Sequence, residues 1–159
     1  MTLQGGPRRG KSGFSISLKG RALRLLAGRE QSRAELQKKL SPHAETPEQL
    51  TQVLDELEAK DFISEARVVD SVVNRRSGRF GASRIKHELL GKGLHPERVA
   101  EAVSQLKGSE LQRAREIWRK KFAEHATDQA GRAKQMRFLA GRGFGGDVIR
   151  RVMAGGDDD

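Results

Sequence analysis

The feature that most constrains the fold of this chain is an internal repeat of about fifty residues. A shift of 49 residues superposes Leu36 on Ile85, Leu40 on Leu89, Pro47 on Pro96, Leu50 on Val99, Leu54 on Val103 and Leu57 on Leu106. A shift of 50 superposes Leu89 on Leu139, Gly93 on Gly143, Leu94 on Phe144, Val99 on Ile149 and Val103 on Met153. The beginnings of the copies align less cleanly, which indicates an insertion or slip there. Three tandem copies follow, each too small to bury its apolar face alone and therefore expected to stack on its neighbours.

Composition favours helices in every copy. Hydrophobic residues make up 35% and aromatic residues 4% of the 159 residues, so several thin helix-on-helix cores suit the chain better than one deep core. Charged residues reach 33%, and runs of strand-favouring residues are nearly absent. We therefore predict an all-α protein of three tandem three-helix repeats.

Capping patterns give the boundaries of the first repeat, predicted at 18–60. An apolar periodicity starts at Leu18, with Gly28 as its expected end. Ser32 is the expected N-cap of a second helix. Residues 46–49, Thr-Pro-Glu-Gln, form a capping-box pattern that opens the third helix.

The second repeat is predicted at 61–108. Its first helix should run from Glu65 to about Arg76 and carry apolar side chains at four positions, Ala66, Val69, Val72 and Val73. Gly78 and Gly81 interrupt the pattern and make a glycine-broken corner. A short helix over 83–90 and a helix that begins at Pro96 complete the repeat.

The third repeat is predicted at 109–153. Residues 109–112, Ser-Glu-Leu-Gln, form a second capping-box pattern. A middle helix from about Asp128 to Ala140 should turn Met136 and Leu139 inward. Residues 1–17 are predicted to be a flexible basic tail and residues 154–159 a disordered acidic tail.

Several classes of protein are disfavoured by the sequence. Cysteine is absent, which excludes disulfides and thiolate chemistry and fits a reducing compartment. No apolar run approaches the roughly 20 residues that a membrane helix needs, and the first residues lack a signal-peptide core. We expect a cytoplasmic protein with no membrane partner.

Two patterns that resemble catalytic or cofactor motifs fail on context. His87-Glu88 begins a zinc-protease pattern, but Gly91 occupies the position of the second ligand, and one imidazole cannot hold a catalytic zinc. Residues 141–146 match Gly-x-Gly-x-x-Gly, but a helix precedes them where the dinucleotide fingerprint needs a strand. No catalytic residues, metal site or cofactor are predicted, and an enzyme is not expected.

The charge points to a polyanion or an acidic protein surface as partner. The net charge is +10, and the excess of cations is largest after residue 109. The candidates for contact with a partner or DNA are Arg75, Arg76, Arg79, Arg84, Lys86 and Lys92 in the second repeat and Arg132, Lys134, Arg137 and Arg142 in the third. The alternative is that these are solvated helix faces. Nearby glycines, which let backbone approach a partner closely, favour binding.

Short second and third helices also suggest a helix-turn-helix protein whose third helix enters the major groove. The third helices carry acids, however, at Glu48, Asp55, Glu56 and Glu58 in the first repeat and at Glu97 and Glu101 in the second. Phosphates would repel them, so the first or middle helices are the better candidates for contact with nucleic acid. Trp118, at helical spacing with Ala114 and Phe122, is predicted to be a core residue and not a base-stacking platform.

The order of several short segments closely resembles the RecX family of recombination regulators over residues 18 to 153. These segments are 18–27 (LKGRALRLLA), 32–36 (SRAEL), 54–58 (LDELE), 79–81 (RFG), 84–89 (RIKHEL), Lys92-Gly93, 137–139 (RFL) and 142–144 (RGF). The first repeat departs from the pattern, because Pro42, His43 and Ala44 stand where the other repeats have Lys-Gly or Arg-Gly. Its middle helix is expected to end differently.

The resemblance implies an elongated, curved, cytoplasmic molecule of three stacked three-helix repeats. We expect a monomer. The resemblance also implies binding to the RecA recombinase filament on DNA and inhibition of RecA ATPase, strand exchange and coprotease activity. From the charge, we expect the second and third repeats to contact either acidic RecA surface or the phosphates of single- or double-stranded DNA. The alternative function is a general basic DNA-binding repeat protein that competes with RecA for DNA, or a transcription factor.

Overall fold

The computed structural model describes residues 15–155, and this part of the chain folds into α-helices with no strand. The all-α prediction is confirmed. The helices are α1 (Leu18–Gly28), α2 (Arg33–Leu40), α3 (Pro47–Ala59), α4 (Glu65–Arg76), α5 (Ala82–Gly91), α6 (Pro96–Lys107), α7 (Glu110–Lys121), α8 (Gln129–Gly141) and α9 (Gly146–Ala154). Residues 1–14 and 156–159 of the two predicted tails lie outside the described residues.

The chain divides into two compact units, Met1–Ser64 and Glu65–Asp159. The first unit has one apolar core on α1, α2 and α3, closed by Ile63 after the last helix. Its buried side chains are Leu18, Ala22, Leu36, Leu40, Leu50, Leu54, Leu57 and Ile63. They recur at helical spacing, so each helix presents one apolar stripe to the other two.

The second unit contains two apolar cores. Helices α4, α5 and α6 enclose the first, and helices α7, α8 and α9 enclose the second. Trp118 belongs to the latter and is only 6% exposed, which confirms that it is a core residue. Its ring stacks on His125 at a centroid distance of 4.1 Å.

The predicted cap at Ser32 is confirmed. The hydroxyl of Ser32 accepts a hydrogen bond from the backbone N–H of Glu35, and the Glu35 carboxylate accepts one from the Ser32 N–H, at 3.0 and 2.9 Å. Thr46 likewise accepts from the N–H of Gln49 at 3.0 Å, but the Gln49 side chain accepts from Glu45 instead of from the cap residue. The reciprocal bond of the predicted capping box is therefore made to Glu45, the residue before the cap, and not to Thr46.

The predicted capping box at Ser109 is wrong. Its backbone, at φ −114° and ψ 7°, lacks the extended conformation of an N-cap, and its side chain caps no N–H group. The hydroxyl instead donates to the carbonyl of Leu106 at 3.3 Å and accepts from Nε of Arg113 at 3.1 Å. The short connection between α6 and α7 keeps this serine on the preceding turn.

Two predicted apolar faces are shifted in register. In α4 the buried face is centred on Val68 and Val72, so Ala66 is exposed. In α8 Met136 is 39% exposed whereas Gln135 is 6% exposed. The Gln135 side chain accepts hydrogen bonds from Nε1 of Trp118 and the N–H of Ala126 and donates to the carbonyl of Glu124, so its burial leaves no polar group unpaired.

The middle helices end in two ways, as expected. After α5 and α8, Gly93 and Gly143 adopt φ of 75° and 94°, in the left-handed region that glycine allows. After α2, residues Ser41–His43 form a 3₁₀ turn with Pro42 in its first turn. The predicted end of α1 at Gly28 is correct to one residue, since Gly28 is the last helical residue and Arg29 is extended.

Candidate polyanion-binding site

The glycine-broken corner between α4 and α5 gathers four arginines around one aromatic ring. The guanidinium carbons of Arg76, Arg79, Arg84 and Arg142 lie 5.7, 5.6, 4.2 and 5.4 Å from the centroid of the Phe80 ring. Phe80 is 8% exposed, so the ring is fixed in the core while the cations lie around it. We call these four residues the arginine cluster. The cluster combines three of the contact residues predicted in the second repeat, Arg76, Arg79 and Arg84, with one predicted in the third, Arg142.

The cluster is built on a direct backbone contact between two corners. The N–H of Gly81 donates to the carbonyl of Arg142 at 2.7 Å, and the N–H of Ser83 donates to the carbonyl of Gly143 at 3.3 Å. We call this contact the seam. A Cβ at Gly81 would lie 2.4 Å from the Gly143 oxygen, and one at Gly143 would lie 2.6 Å from Cβ of Arg84. Both glycines are therefore required for the close approach.

Two polar side chains of α7 secure the same corner. Glu110 is 7% exposed and accepts a hydrogen bond from the N–H of Ala82 at 3.1 Å, which caps α5 in place of the side chain that Gly81 lacks. Arg113 donates to the carbonyls of Ser77 and Phe80 at 2.8 and 2.7 Å. Burial lowers the pKa of the Arg113 guanidinium, opposed by the negative charge of Glu110.

The predicted cations of the second repeat differ in whether an acidic side chain neutralises them. Arg75 and Arg76 pair with the carboxylate of Glu88, at 3.7 and 2.9 Å. Arg84 donates to the carbonyl of Gly141 at 3.0 Å. Arg79 and Arg84 make no ion pair with any residue between 15 and 155, and their positive charge is uncompensated there.

Two further predicted residues of this repeat lie outside the arginine cluster. Lys86 lines a separate pocket of about 430 Å³ between α5 and α6, whose floor is apolar and includes Leu90 and Val99. Lys92 forms the C-cap of α5, and its N–H donates to the carbonyls of Glu88 and Leu89. The structure does not bring these lysines to the Phe80 ring.

Of the predicted cations in the third repeat, only Arg142 joins the cluster. Its guanidinium also lies 5.0 Å from the centroid of the Phe138 ring. Arg132 donates to the carbonyl of Met153 at 3.4 Å, at the other end of α8. Lys134 and Arg137 are exposed on α8.

Sequence reasoning missed two lysines beside the cluster. Lys120 and Lys121, at the end of α7, line a pocket of about 260 Å³ together with Gly78, Arg79, Ile117, Phe138 and Arg142. We call this the basic pocket. Residues 119–121 are the sole run of three consecutive cations in the sequence, and that run could have indicated them.

Metal and membrane sites find no support in the described residues. No group of three or more His, Asp or Glu side chains in residues 15–155 is placed to hold a metal ion. None of the helices described has the length and apolar character needed to cross a membrane.

In the first unit, three acidic side chains of the third helix, α3, form ion pairs with cations of the same unit. Asp55 and Glu58 pair with Arg33, and Glu56 pairs with Lys19 and Lys60 at 2.6 and 3.0 Å. The polar face of α3 is therefore a network of internal ion pairs, which is a poor surface for phosphates.

Comparison with known proteins agrees with this architecture. A family model of the third three-helix domain of RecX matches residues 109–153. Regulatory protein RecX of Leptothrix cholodnii is 52% identical over 138 residues, which cover 87% of this chain and 88% of that protein. Regulatory protein RecX of Herminiimonas arsenicoxydans is 48% identical over 140 residues, which cover 88% of this chain and 93% of that protein.

Among solved structures, the crystal structure of RecX from Lactobacillus salivarius matches with a TM-score of 0.74 over 87% of this chain and 93% of that one. At 18% identity this likeness supports the fold alone. The sequence relatives are far closer and span most of both sequences. The chain therefore belongs to the RecX family of regulatory proteins.

Proposed function

We propose that this chain is a non-enzymatic regulator of the RecA recombinase, which binds the RecA filament on DNA and inhibits its ATPase, strand-exchange and coprotease activities. By inhibiting these RecA activities, the protein modulates recombination, DNA repair and the SOS response in the cytoplasm. Family membership supports the partner, since the relatives are named as regulatory proteins of the RecX type. The observation that carries the binding surface is the arginine cluster, where the positive charge of Arg79, Arg84 and Arg142 is not neutralised by described acids.

The proposal sets the repeats in the helical groove of the filament. Successive three-helix units can each make a shallow contact along one axis, and contacts that are weak singly add up once the first is made. Arg79, Arg84 and Arg142 then meet acidic RecA surface or DNA phosphates. Of the other predicted cations, we assign Arg75 and Arg76 a smaller contribution to binding, because each already forms an ion pair with Glu88.

A general DNA-binding protein that competes with RecA for DNA is the rival function, and the net charge of +10 favours it. The two are separated by the RecA ATPase, measured on preformed filaments while this protein is added far below the RecA concentration. Strong inhibition under those conditions is expected from a filament regulator, since simple competition for DNA needs comparable amounts. Inhibition that begins only near equal amounts would falsify the proposal.

A sequence-specific transcription factor has less support. The third helix of the first unit, which such a protein would place in the major groove, is engaged in ion pairs through Asp55, Glu56 and Glu58. A salt-resistant footprint on one duplex sequence would be needed to restore that function.

A further inference from the structure

The basic pocket has a composition that fits an anionic ligand. Four cations line it, Arg79, Lys120, Lys121 and Arg142, and its remaining lining consists of Gly78, Ile117 and Phe138. No acidic side chain lines the pocket, and none of the four cations makes an ion pair within residues 15–155. Like charges held this close repel one another, so an anion entering the pocket relieves that repulsion.

The two arginines are held in place before any ligand arrives. Arg79 and Arg142 both pack against the Phe80 ring, and Nη1 of Arg142 donates to the carbonyl of Arg79 at 3.5 Å. The Arg142 backbone is itself fixed by the seam, through the N–H of Gly81. A preordered guanidinium loses less conformational entropy on binding than a free side chain.

The pocket offers charge and little aromatic surface. Phe138 is its one aromatic lining residue, and Arg142 and Lys121 lie over that ring at 5.0 and 5.7 Å. Phe122 meets Phe138 edge to face at 5.3 Å. Because cations and a second ring already engage Phe138, a nucleic acid base has no ready stacking platform of the kind that single-strand binders use.

A phosphodiester chain suits this arrangement better than an acidic protein segment. A nucleic acid strand carries one charge on every nucleotide, so successive phosphates crossing the pocket neutralise several of the four cations. An isolated carboxylate neutralises one and leaves the others in mutual repulsion. Arginine forks match the several acceptor oxygens of a phosphate, and the lysines act as point charges.

We infer that the basic pocket, built by Arg79, Lys120, Lys121 and Arg142, binds the sugar-phosphate backbone of a nucleic acid strand without recognising its bases. This inference rests on the proposed function in assigning DNA, not RecA, as the partner of this part of the site. It predicts that affinity depends on salt and not on base sequence.

The test measures binding of the full chain to fluorescein-labelled oligothymidylate by fluorescence anisotropy, over a series of salt concentrations. The double variant Lys120→Glu/Lys121→Glu should bind at least about tenfold more weakly, and its log-log salt slope should fall by about 0.7 for each phosphate that the variant no longer neutralises. The matched control is Lys38→Glu/Lys39→Glu, an adjacent lysine pair on α2, which should keep wild-type affinity. Equal losses in both variants, or no loss in either, overturn the inference.

Two further probes distinguish the backbone from its alternatives. An abasic oligomer of the same length should bind as tightly as oligothymidylate, and a large loss on removal of the bases contradicts backbone binding. Poly-glutamate should compete poorly, and equal competition would assign the pocket to an acidic protein surface. Lys120→Gln/Lys121→Gln, checked by circular dichroism, gives a milder variant in case two glutamates at the end of α7 disturb the helix.

The RecA ATPase separates failure of this inference from failure of the proposed function. If wild-type protein inhibits RecA but the lysine variants bind oligothymidylate normally, the pocket assignment alone is wrong. If wild-type protein does not inhibit RecA while the lysine variants bind oligothymidylate weakly, the proposed function is wrong and the pocket remains a backbone site.

Discussion

The best-placed cations of the two units of this protein have different surroundings, although Arg75 and Arg76 of the second unit also pair with an acid, Glu88. In the first unit Lys19, Arg33 and Lys60 each pair with acids of α3, and Arg29 pairs with Glu35 at 2.9 Å. In the second unit Arg79, Arg84 and Arg142 face an aromatic ring and backbone carbonyls. Carbonyls and rings orient a guanidinium without cancelling its charge. A cation becomes available to a partner through what surrounds it, and a count of Lys and Arg along the sequence does not reveal that.

The largest expected effect comes from breaking the seam on which the arginine cluster is built. Gly143→Ala places a Cβ 2.8 Å from the backbone nitrogen of Arg84 and holds alanine at φ 94°. We expect a loss of about 3 kcal/mol in the unfolding free energy of the second unit. Urea unfolding followed by fluorescence of Trp118, the single tryptophan, measures it. Gly91→Ala is the control, since its Cβ meets nothing within 4 Å, and a similar loss there would contradict the role of the seam.

The next effect tests the buried polar contacts that position the corner. Glu110→Ala leaves the N–H of Ala82 without its acceptor and removes the negative charge near the half-buried Arg113. We expect a loss of about 2 kcal/mol in the same tryptophan-detected unfolding. Glu110→Gln keeps an acceptor oxygen and should lose clearly less. Equal losses for the two variants would show that the carboxylate does not cap α5.

A smaller effect compares one uncompensated cation with one paired cation. Arg79→Gln removes a charge with no described acid beside it, whereas Arg33→Gln removes one that Asp55 and Glu58 already neutralise. Binding to RecA filaments, measured by co-sedimentation, should weaken about tenfold for Arg79→Gln. It should stay near wild type for Arg33→Gln. Comparable weakening in both would mean that pairing does not decide which cations are available.

The smallest effect is a pH dependence of the ion-pair network in the first unit. Hydrogen bonds from Lys19 and Lys60 lower the pKa of the exposed Glu56 carboxylate below its ordinary value of 4.5. Because the pKa is lower in the folded state, the ionised carboxylate stabilises the fold at pH values above its ordinary pKa. This contribution is lost as the pH falls through the folded-state pKa. Glu56→Gln should therefore speed amide exchange in α3 slightly at neutral pH and not in acid. A difference that persists in acid would exclude the carboxylate charge as its cause.

Much of the fold could be predicted because it depends on local periodicity and capping. The spacing of Leu50, Leu54 and Leu57 defines the buried face of α3, and Ser32 followed by Glu35 defines the start of α2. Where a buried position is polar, as at Gln135, the apolar pattern moves to a wrong neighbour, here Met136. The predicted cap at Ser109 is wrong because its hydroxyl donates to the carbonyl of Leu106 on the preceding turn and accepts from Arg113 of α7.

The candidate site was predictable in composition but not in arrangement. The sequence indicated Arg79, Arg84 and Arg142 as cations near glycines, and the structure places these three around Phe80. The sequence did not indicate that Glu110 and Arg113 hold the corner, because their partners are backbone groups many residues away. Such interactions depend on how the repeats pack within the second unit and leave no periodic trace.

The seam also has a consequence for folding during synthesis. The second repeat lacks the acceptor for the Ala82 N–H until Glu110 has been made, and the carbonyl of Arg142 reaches Gly81 only when α8 is complete. A chain leaving the ribosome therefore exposes an unfinished corner, including Phe80, for the time needed to synthesise more than one further repeat. The first unit, whose core is closed by Ile63, can finish folding well before then.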